Sequence, residues 1–384
     1  MGCYVLGEIA YLDNSATTKP CKAAIQNINL ALENVWGNPS SLYDLGFKAQ
    51  LLVDDTRKAV ANMLHCREDE IYFTGSGTES NNMALLGAAA SRKKRGKRIV
   101  TTAIEHPSVL ETAKRLESDG FEVIFLKPQA NGCISAEALK NAINKDTVLV
   151  SIMLVNNETG AVQPVKEAAQ FIKQSGAPAL LHCDGVQAFG KMPINLSELG
   201  VDLFTASGHK IHGPKGVGIL YLKKSVTIKS LITGGGQEKN MRSGTEAVPT
   251  IYGLKGAIDE LGNISENLKA QKELWLYAKN ALLNTGLISV NSSDDALPYI
   301  LNISVEGYRS ETLLHFLEAQ GVYVSSGSAC AKGNGSYVLN EMGLSRSRVD
   351  SALRISFSRY STKEDIKQLE TALITATQKL RRSN

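Results

Sequence analysis

The chain has no pair of cysteines at Cys-x-x-Cys spacing. Its six, Cys3, Cys21, Cys66, Cys133, Cys183 and Cys330, are scattered through 384 residues. That scatter offers no zinc-ribbon or thioredoxin-like motif. A chain of this length buries enough apolar surface to need no disulfide framework, and free thiols accord with a reducing cytoplasm. No apolar run reaches the ~18–20 residues that span a bilayer. Residues 1–10 lack the basic region and long apolar core of a signal peptide. Gly2 stands where a myristoylated chain has glycine, but Leu6 occupies the position that wants Ser or Thr. Neither sign of charge dominates: 42 Lys and Arg against 38 Asp and Glu leave +4, too little to point to a nucleic-acid or membrane partner. One basic cluster, Arg92, Lys93, Lys94, Arg95, Lys97 and Arg98, reads either as a nucleic-acid or targeting patch or as the solvated end of a helix before a buried strand at 99–102. Internal repeats and low-complexity tracts are also missing.

What is present is a globular composition, 43% hydrophobic and 21% charged, at a length that suggests two domains. Short apolar runs at 71–74, 99–102, 122–126, 147–153, 179–183, 201–205 and 217–222 read as strands. Several are nearly continuous Val, Ile and Leu, as strands buried on both faces should be. Helix-like stretches separate them. In 45–64, Leu45, Ala49, Leu52, Ala59, Val60 and Met63 share one helical face. The alternation predicts an α/β fold with a mainly parallel sheet covered on both sides. After about Gly253 the pattern changes to charged helical segments over 255–283. Strands at 300–305, 322–325 and 352–357 and helices at 310–319 and 362–381 follow, which predicts a smaller α+β domain.

Asp184 follows the run 179–183 and so falls at the carboxyl edge of the sheet, where open α/β sheets bind ligands. There it either caps a turn or meets a ligand. Lys210 follows the run 201–205 in Ser207-Gly208-His209-Lys210. A hydroxyl, a glycine and a histidine before a lysine place phosphate donors beside an amine. A lysine amine forms a Schiff base when it is deprotonated, which burial or nearby positive charge encourages. Pyridoxal phosphate (PLP) needs such a lysine, and an acid to keep its pyridine nitrogen protonated. His209 and His212, three apart, have no carboxylate or cysteine ligands close by in sequence, and metal binding is not expected. The run Thr74-Gly75-Ser76-Gly77-Thr78 precedes an expected helix at 82–90 and can cradle phosphate or simply shape a turn. It lacks the Gly-Lys-Ser/Thr ending of a P-loop. Cys330 sits in a Gly- and Ser-rich loop, 325–336, beside Lys332. That setting keeps a thiol accessible and favours thiolate; the other cysteines read as structural.

Together these motifs resemble the cysteine desulfurases of the nitrogen-fixation and iron–sulfur-assembly type, within the class V aminotransferase group of fold-type I PLP enzymes. The likeness runs from Tyr11-Leu12-Asp13-Asn14-Ser15-Ala16-Thr17-Thr18 to Leu353-Arg354-Ile355-Ser356-Phe357. It includes Gly37-Asn38-Pro39-Ser40-Ser41, Glu105-His106-Pro107, Val155-Asn156-Asn157-Glu158-Thr159-Gly160 and Met241-Arg242-Ser243-Gly244-Thr245.

The resemblance implies a large PLP-binding domain over 18–254, with a seven-stranded sheet. Residues 1–17 and 255–384 would form a small domain carrying the Cys330 loop. It implies that Lys210 is the Schiff-base lysine and that Asp184 meets the pyridine nitrogen. Gln187 and Asn157 would lie near the phenolic oxygen, and His106 would stack on the ring and assist proton transfer. Gly77, Thr78, Ser207 and His209 would hold the phosphate, with Thr245 added from the partner of a homodimer. Arg354 would clamp the carboxylate of L-cysteine, with Asn14 nearby. Cys330 would take the substrate sulfur as a persulfide, release alanine, and pass the sulfur to an acceptor protein in iron–sulfur assembly or tRNA thiolation. The loop after Cys330 is shorter than the family's usual long form, which bears on the acceptors it reaches. Another class V aminotransferase, or a selenocysteine lyase, would share Lys210, Asp184 and Arg354; an aminotransferase would not need Cys330.

Overall fold

The computed structural model describes residues 9–326 and 335–382. Its centre is a seven-stranded sheet in the order Ile71–Thr74, Gly218–Leu222, Leu203–Ser207, Leu180–Asp184, Thr147–Met153, Arg98–Thr102, Glu122–Leu126. Gly218–Leu222 is antiparallel to both neighbours, and the other pairings of this sheet are parallel. The expected mainly parallel sheet is therefore what forms.

Its strands are apolar on both sides because helices cover both faces. Side chains alternate across a strand, so neighbours in sequence enter different cores. Ile99, Leu149, Leu180, Leu203 and Leu220 pack with Met83, Leu85 and Ala88 of helix Gly77–Arg92 and Val109 and Leu116 of helix Pro107–Ser118. Val100, Val150, Leu181, Phe204 and Ile219 pack on the other side, with Val60 and Leu64 of helix Asp44–Leu64 and Val165 and Ala168 of helix Val165–Ser175. Burying each such side chain fully is worth about 1.5–3 kcal/mol.

The second core belongs to the C-terminal half. Strand Ile300–Ser304 is flanked by the antiparallel strands Ala352–Ser356 and Ser289–Val290. Trp275 of helix Ile264–Asn284, Leu313 and Leu317 of helix Ser310–Ala319, and Leu369 and Leu373 of helix Lys363–Lys379 close over it. Strand Ala10–Tyr11 returns the amino-terminal segment to this half by pairing with Val322–Tyr323.

Three boundaries near the sheet's carboxyl edge differ from the sequence reading. Asp184 is the last residue of its strand, in register with Met153 and Thr205, so the ladder continues through it. The next strand ends at Ser207, two residues later than expected. The helix expected from 82 begins at Gly77, because the Ser76 hydroxyl accepts the Glu79 N–H and caps it there. Backbone ladders and a cap carry polar residues into regular structure where apolar periodicity has already stopped.

Candidate active site

The sheet order fixes where a site can form. The chain leaves strand Arg98–Thr102 for the edge strand Glu122–Leu126, then crosses back to Thr147–Met153 on the other side. The carboxyl ends of Arg98–Thr102 and Thr147–Met153 thus flank a topological switch point. His106 follows the first and Asn157 the second, while Asp184 and Ser207 end the next two strands.

Lys210 closes a single turn, Gly208–Lys210, after Ser207. Its Nζ donates to the carbonyl oxygens of Ser15 at 2.6 Å and Ala16 at 2.7 Å. Burial, helped by the charge of Arg354, lowers its pKa to about 8, against the pull of Asp13 and Asp184. A fraction of the amine is therefore free base near neutrality, the form a nucleophilic lysine needs. His209, beside it, turns Nδ1 to Thr17 Oγ1 at 3.1 Å, and burial lowers its pKa to about 4. His212 turns away, bonding the Lys19 carbonyl at 2.9 Å. Among the described residues no three His, Cys, Asp or Glu gather as metal ligands.

Asp184 is buried. Its Oδ1 accepts the Val186 N–H at 3.0 Å and its Oδ2 accepts Asn81 Nδ2 at 2.7 Å. The second Asn81 N–H goes to Ser108 Oγ at 2.9 Å, and Asn81 Oδ1 accepts the Thr205 hydroxyl at 2.5 Å. Ser108 Oγ is 2.8 Å from His106 Nδ1, and the Ser108 N–H also donates to that nitrogen at 3.2 Å. With two donors aimed at Nδ1, the neutral ring carries its proton on Nε2. Desolvation lowers the pKa of His106, opposed by Asp184 and aided by Lys210. The ring is solvent-accessible on its open side.

Gly77 and Thr78 form the first turn of helix Gly77–Arg92, whose N–H groups face the site end of the sheet. A Cβ on Gly77 would lie 3.0 Å from Val186 and 3.4 Å from Ser207, so a larger residue would have to push these side chains aside. Gln187 Nε2 donates to the Ser15 carbonyl at 3.0 Å, the same oxygen that holds Lys210. Thr245 lies exposed in the stretch before helix Val248–Asp259.

Arg354, in strand Ala352–Ser356, is 5% exposed. Its Nη1 donates to the Asn157 carbonyl at 3.1 Å and its Nη2 to Asp13 Oδ1 at 2.7 Å. Arg354 Nε and Asn157 Oδ1 are buried with no hydrogen-bond partner among the described residues. Both Asn14 amide hydrogens are spent on the Tyr11 and Ser356 carbonyls, at 3.0 and 2.9 Å. Asn14 therefore holds the amino-terminal segment against the strand of Arg354.

Cys330 lies outside the described residues. The chain on either side of it is tied to the site. Arg354 and Ser325 exchange backbone hydrogen bonds at 2.6 and 3.1 Å. Ser336 donates to the buried Glu158 carboxyl, and the Tyr337 hydroxyl reaches the Glu105 carbonyl at 2.5 Å. Apolar periodicity offers no signal for Asp13, Ser15, Asn81, Ser108 or Ser336, because their partners are distant in sequence or lie across the sheet.

The family described as aminotransferase class-V matches residues 10–369. The chain is 38% identical to the cysteine desulfurase IscS of Methanosarcina thermophila, over 97% of this chain and 92% of that one. Among solved structures it is similar to a NifS-like protein at TM-score 0.92 and 36% identity, covering 97% of this chain and all of that one. It is also similar to SspA in complex with cysteine, at TM-score 0.82 and 33% identity, covering 92% and 99%.

Proposed function

The chain belongs to the class-V aminotransferase family, and we propose that its site uses pyridoxal phosphate on Lys210 to desulfurate L-cysteine. It is a cysteine desulfurase. The observation that carries the cofactor reading is the placing of the Lys210 amine just past the end of one strand with Asp184 at the end of the neighbouring one, where burial lowers the lysine pKa to about 8.

The residues present fit the cofactor. Asp184 would meet the pyridine nitrogen. Ser207, His209 and the helix start at Gly77 and Thr78 would take the phosphate, with Thr245 of a second subunit completing it. The orphaned amide oxygen of Asn157 marks a buried polar side chain with an unfilled place at the site.

When bound, pyridoxal phosphate draws electron density away from the α-carbon of an amino acid attached to it. The chain's residues do the rest. Arg354 binds the α-carboxylate of cysteine through its guanidinium. Lys210, released by the substrate amine, takes the α-proton. His106, protonated on Nε2, presents a donor to the open side. The Cys330 thiolate attacks the substrate sulfur. A sulfur–sulfur bond forms, the carbon–sulfur bond breaks, and its electron pair stays on carbon, which is protonated and leaves as L-alanine. The sulfur remains on Cys330 as a persulfide for an acceptor protein.

A homodimer is supported by an apolar surface left uncovered in one chain. Leu32, Trp36, Tyr43 and Phe47 are 57–68% exposed and Leu42 fully so, all in or beside the first two helices. No helix among the described residues is long and apolar enough to cross a membrane; a cytoplasmic location rests on the free thiols. Mass spectrometry after incubation with L-cysteine tests the reaction. One added sulfur on the peptide bearing Cys330, lost in Cys330→Ala with alanine production, is expected. Undiminished alanine and sulfide release by Cys330→Ala would sink the persulfide route.

A further inference from the structure

A second lysine lies buried behind Lys210. Lys191 is 5% exposed, and its ammonium donates to Gln187 Oε1 at 2.9 Å. It also lies 5.8 Å from the centre of the Tyr299 ring. Among the described residues no carboxylate pairs with it. Lys191, Lys210, Thr18, Tyr299 and Phe357 line one small cavity. Burial, with the charges of Lys210 and Arg354, lowers its pKa to about 7. His209 and His212 lie within its field in turn. An ammonium buried without a counter-charge costs stability, and an apolar side chain of similar length would not. A group kept at that cost beside a reactive amine calls for a role there.

The hydrogen bonds supply one. An ammonium has donors and no acceptor. While Lys191 is protonated, the amide oxygen of Gln187 therefore faces it and the NH2 faces the other way. It meets the Ser15 carbonyl at 3.0 Å, which accepts Lys210 Nζ at 2.6 Å. A flipped Gln187 would set oxygen against oxygen at Ser15 and donor against donor at Lys191.

We infer that Lys191 is a positioning residue: when protonated, it turns the Gln187 N–H groups toward Lys210 and puts a positive charge behind them, so that the lysine–cofactor nitrogen gives up its proton more readily. This rests on the reading that Lys210 carries pyridoxal phosphate. The charges near Lys210 that act with or against it are those of Arg354, Asp13 and Asp184.

The test uses the holoenzyme and the variants Lys191→Met, Lys191→Gln and Lys191→Arg. Its readouts are the pH midpoint of the visible cofactor band, the rate of cofactor release and thermal melting. In Lys191→Met the midpoint should rise by about one pH unit, a tenfold gain in proton affinity, with cofactor released several-fold faster. Melting at neutral pH should be no lower, because an unpaired buried charge is gone. Lys191→Arg should keep the midpoint near its original value. Lys191→Gln, which keeps a donor without the charge, should show the raised midpoint, and it serves as the charge test if the Met variant does not fold. A folded Met or Gln variant whose midpoint stays where the unsubstituted protein has it overturns the inference alone. An unsubstituted protein with no cofactor band even after adding pyridoxal phosphate overturns the cofactor reading and this inference together.

Discussion

Arg354 Nη2 lies 2.7 Å from Asp13 Oδ1, joining residues 341 positions apart. Asp13 comes from the amino-terminal segment and Arg354 from the sheet of the C-terminal half to which that segment returns, and Asn157 of the other half reaches the same guanidinium. The pair holds one arm of the guanidinium while the Asn157 carbonyl holds the other. Nε has no hydrogen-bond partner among the described residues.

Arg354→Lys keeps the charge and loses the planar fork. A charge-assisted hydrogen bond is worth about 1.5–3 kcal/mol, and each 1.4 kcal/mol is tenfold in affinity. KM for L-cysteine should therefore rise about 10- to 100-fold, with a smaller change in kcat, in steady-state alanine formation. An unchanged KM would remove Arg354 from carboxylate binding. Asp13→Ala should lower stability by about 1–3 kcal/mol in denaturant titration, below the ~3–5 kcal/mol of a fully buried broken pair, because Asp13 is partly exposed.

Ser108 gives a finer test of His106. Its hydroxyl accepts a hydrogen bond from the Asn81 amide and donates one to His106 Nδ1. In Ser108→Ala the backbone N–H alone still donates to Nδ1. Losing one hydrogen bond is worth about 1 kcal/mol, so kcat should fall about three- to tenfold with KM little changed. The His106 pKa should rise, because Nδ1 becomes easier to protonate. Histidine NMR titration reads that shift. A pKa that stays put, or falls, would show that Ser108 does not set the tautomer.

Much of the sheet was legible because two-sided burial writes itself as Val, Ile and Leu runs. Leu149 and Val150 enter opposite cores, and no polar residue could replace either cheaply. Asp184 and Lys210 stood out as polar residues at the ends of such runs. Their fixing partners did not. Ser15 acts through its carbonyl, so its side chain carries no signal, and 195 residues separate it from Lys210. Asn81 looked like one more polar residue in a turn, yet it bridges Asp184 and Ser108 from the helix interior. Strand ends were misjudged for the same reason: ladder bonds hold Asp184 and Ser207 in the sheet whatever their side chains are.

Two buried acids beside the proposed site make stability depend on pH in a direction that can be worked out. Burial raises the pKa of Glu105 to about 8, against hydrogen bonds from the Met153 N–H and the Thr102 hydroxyl. It raises that of Glu158 to about 7, against Ser336 and Arg354. In the unfolded chain both would ionise near the ordinary value of 4.5. The folded protein therefore holds protons that the unfolded chain has released. Their contribution to stability is full below about pH 4.5 and is lost as pH rises through 7 to 8, at up to about 1.4 kcal/mol per group per pH unit. Lys191 and His182, with pKa values lowered to about 7 and 3, act in the opposite sense, so the total curve does not isolate the acids. The difference between Glu158→Gln and the unsubstituted protein does, because the other groups cancel. The two should melt close together at pH 5, with the variant gaining as pH rises to about 7 and levelling off above it. Ser336, on the carboxyl side of Cys330, can still donate to the side-chain amide oxygen of that variant, so the anchor survives without the proton. A melting difference that stays constant from pH 5 to 8 would mean that Glu158 is ionised throughout and that Ser336 is held by a charged carboxylate.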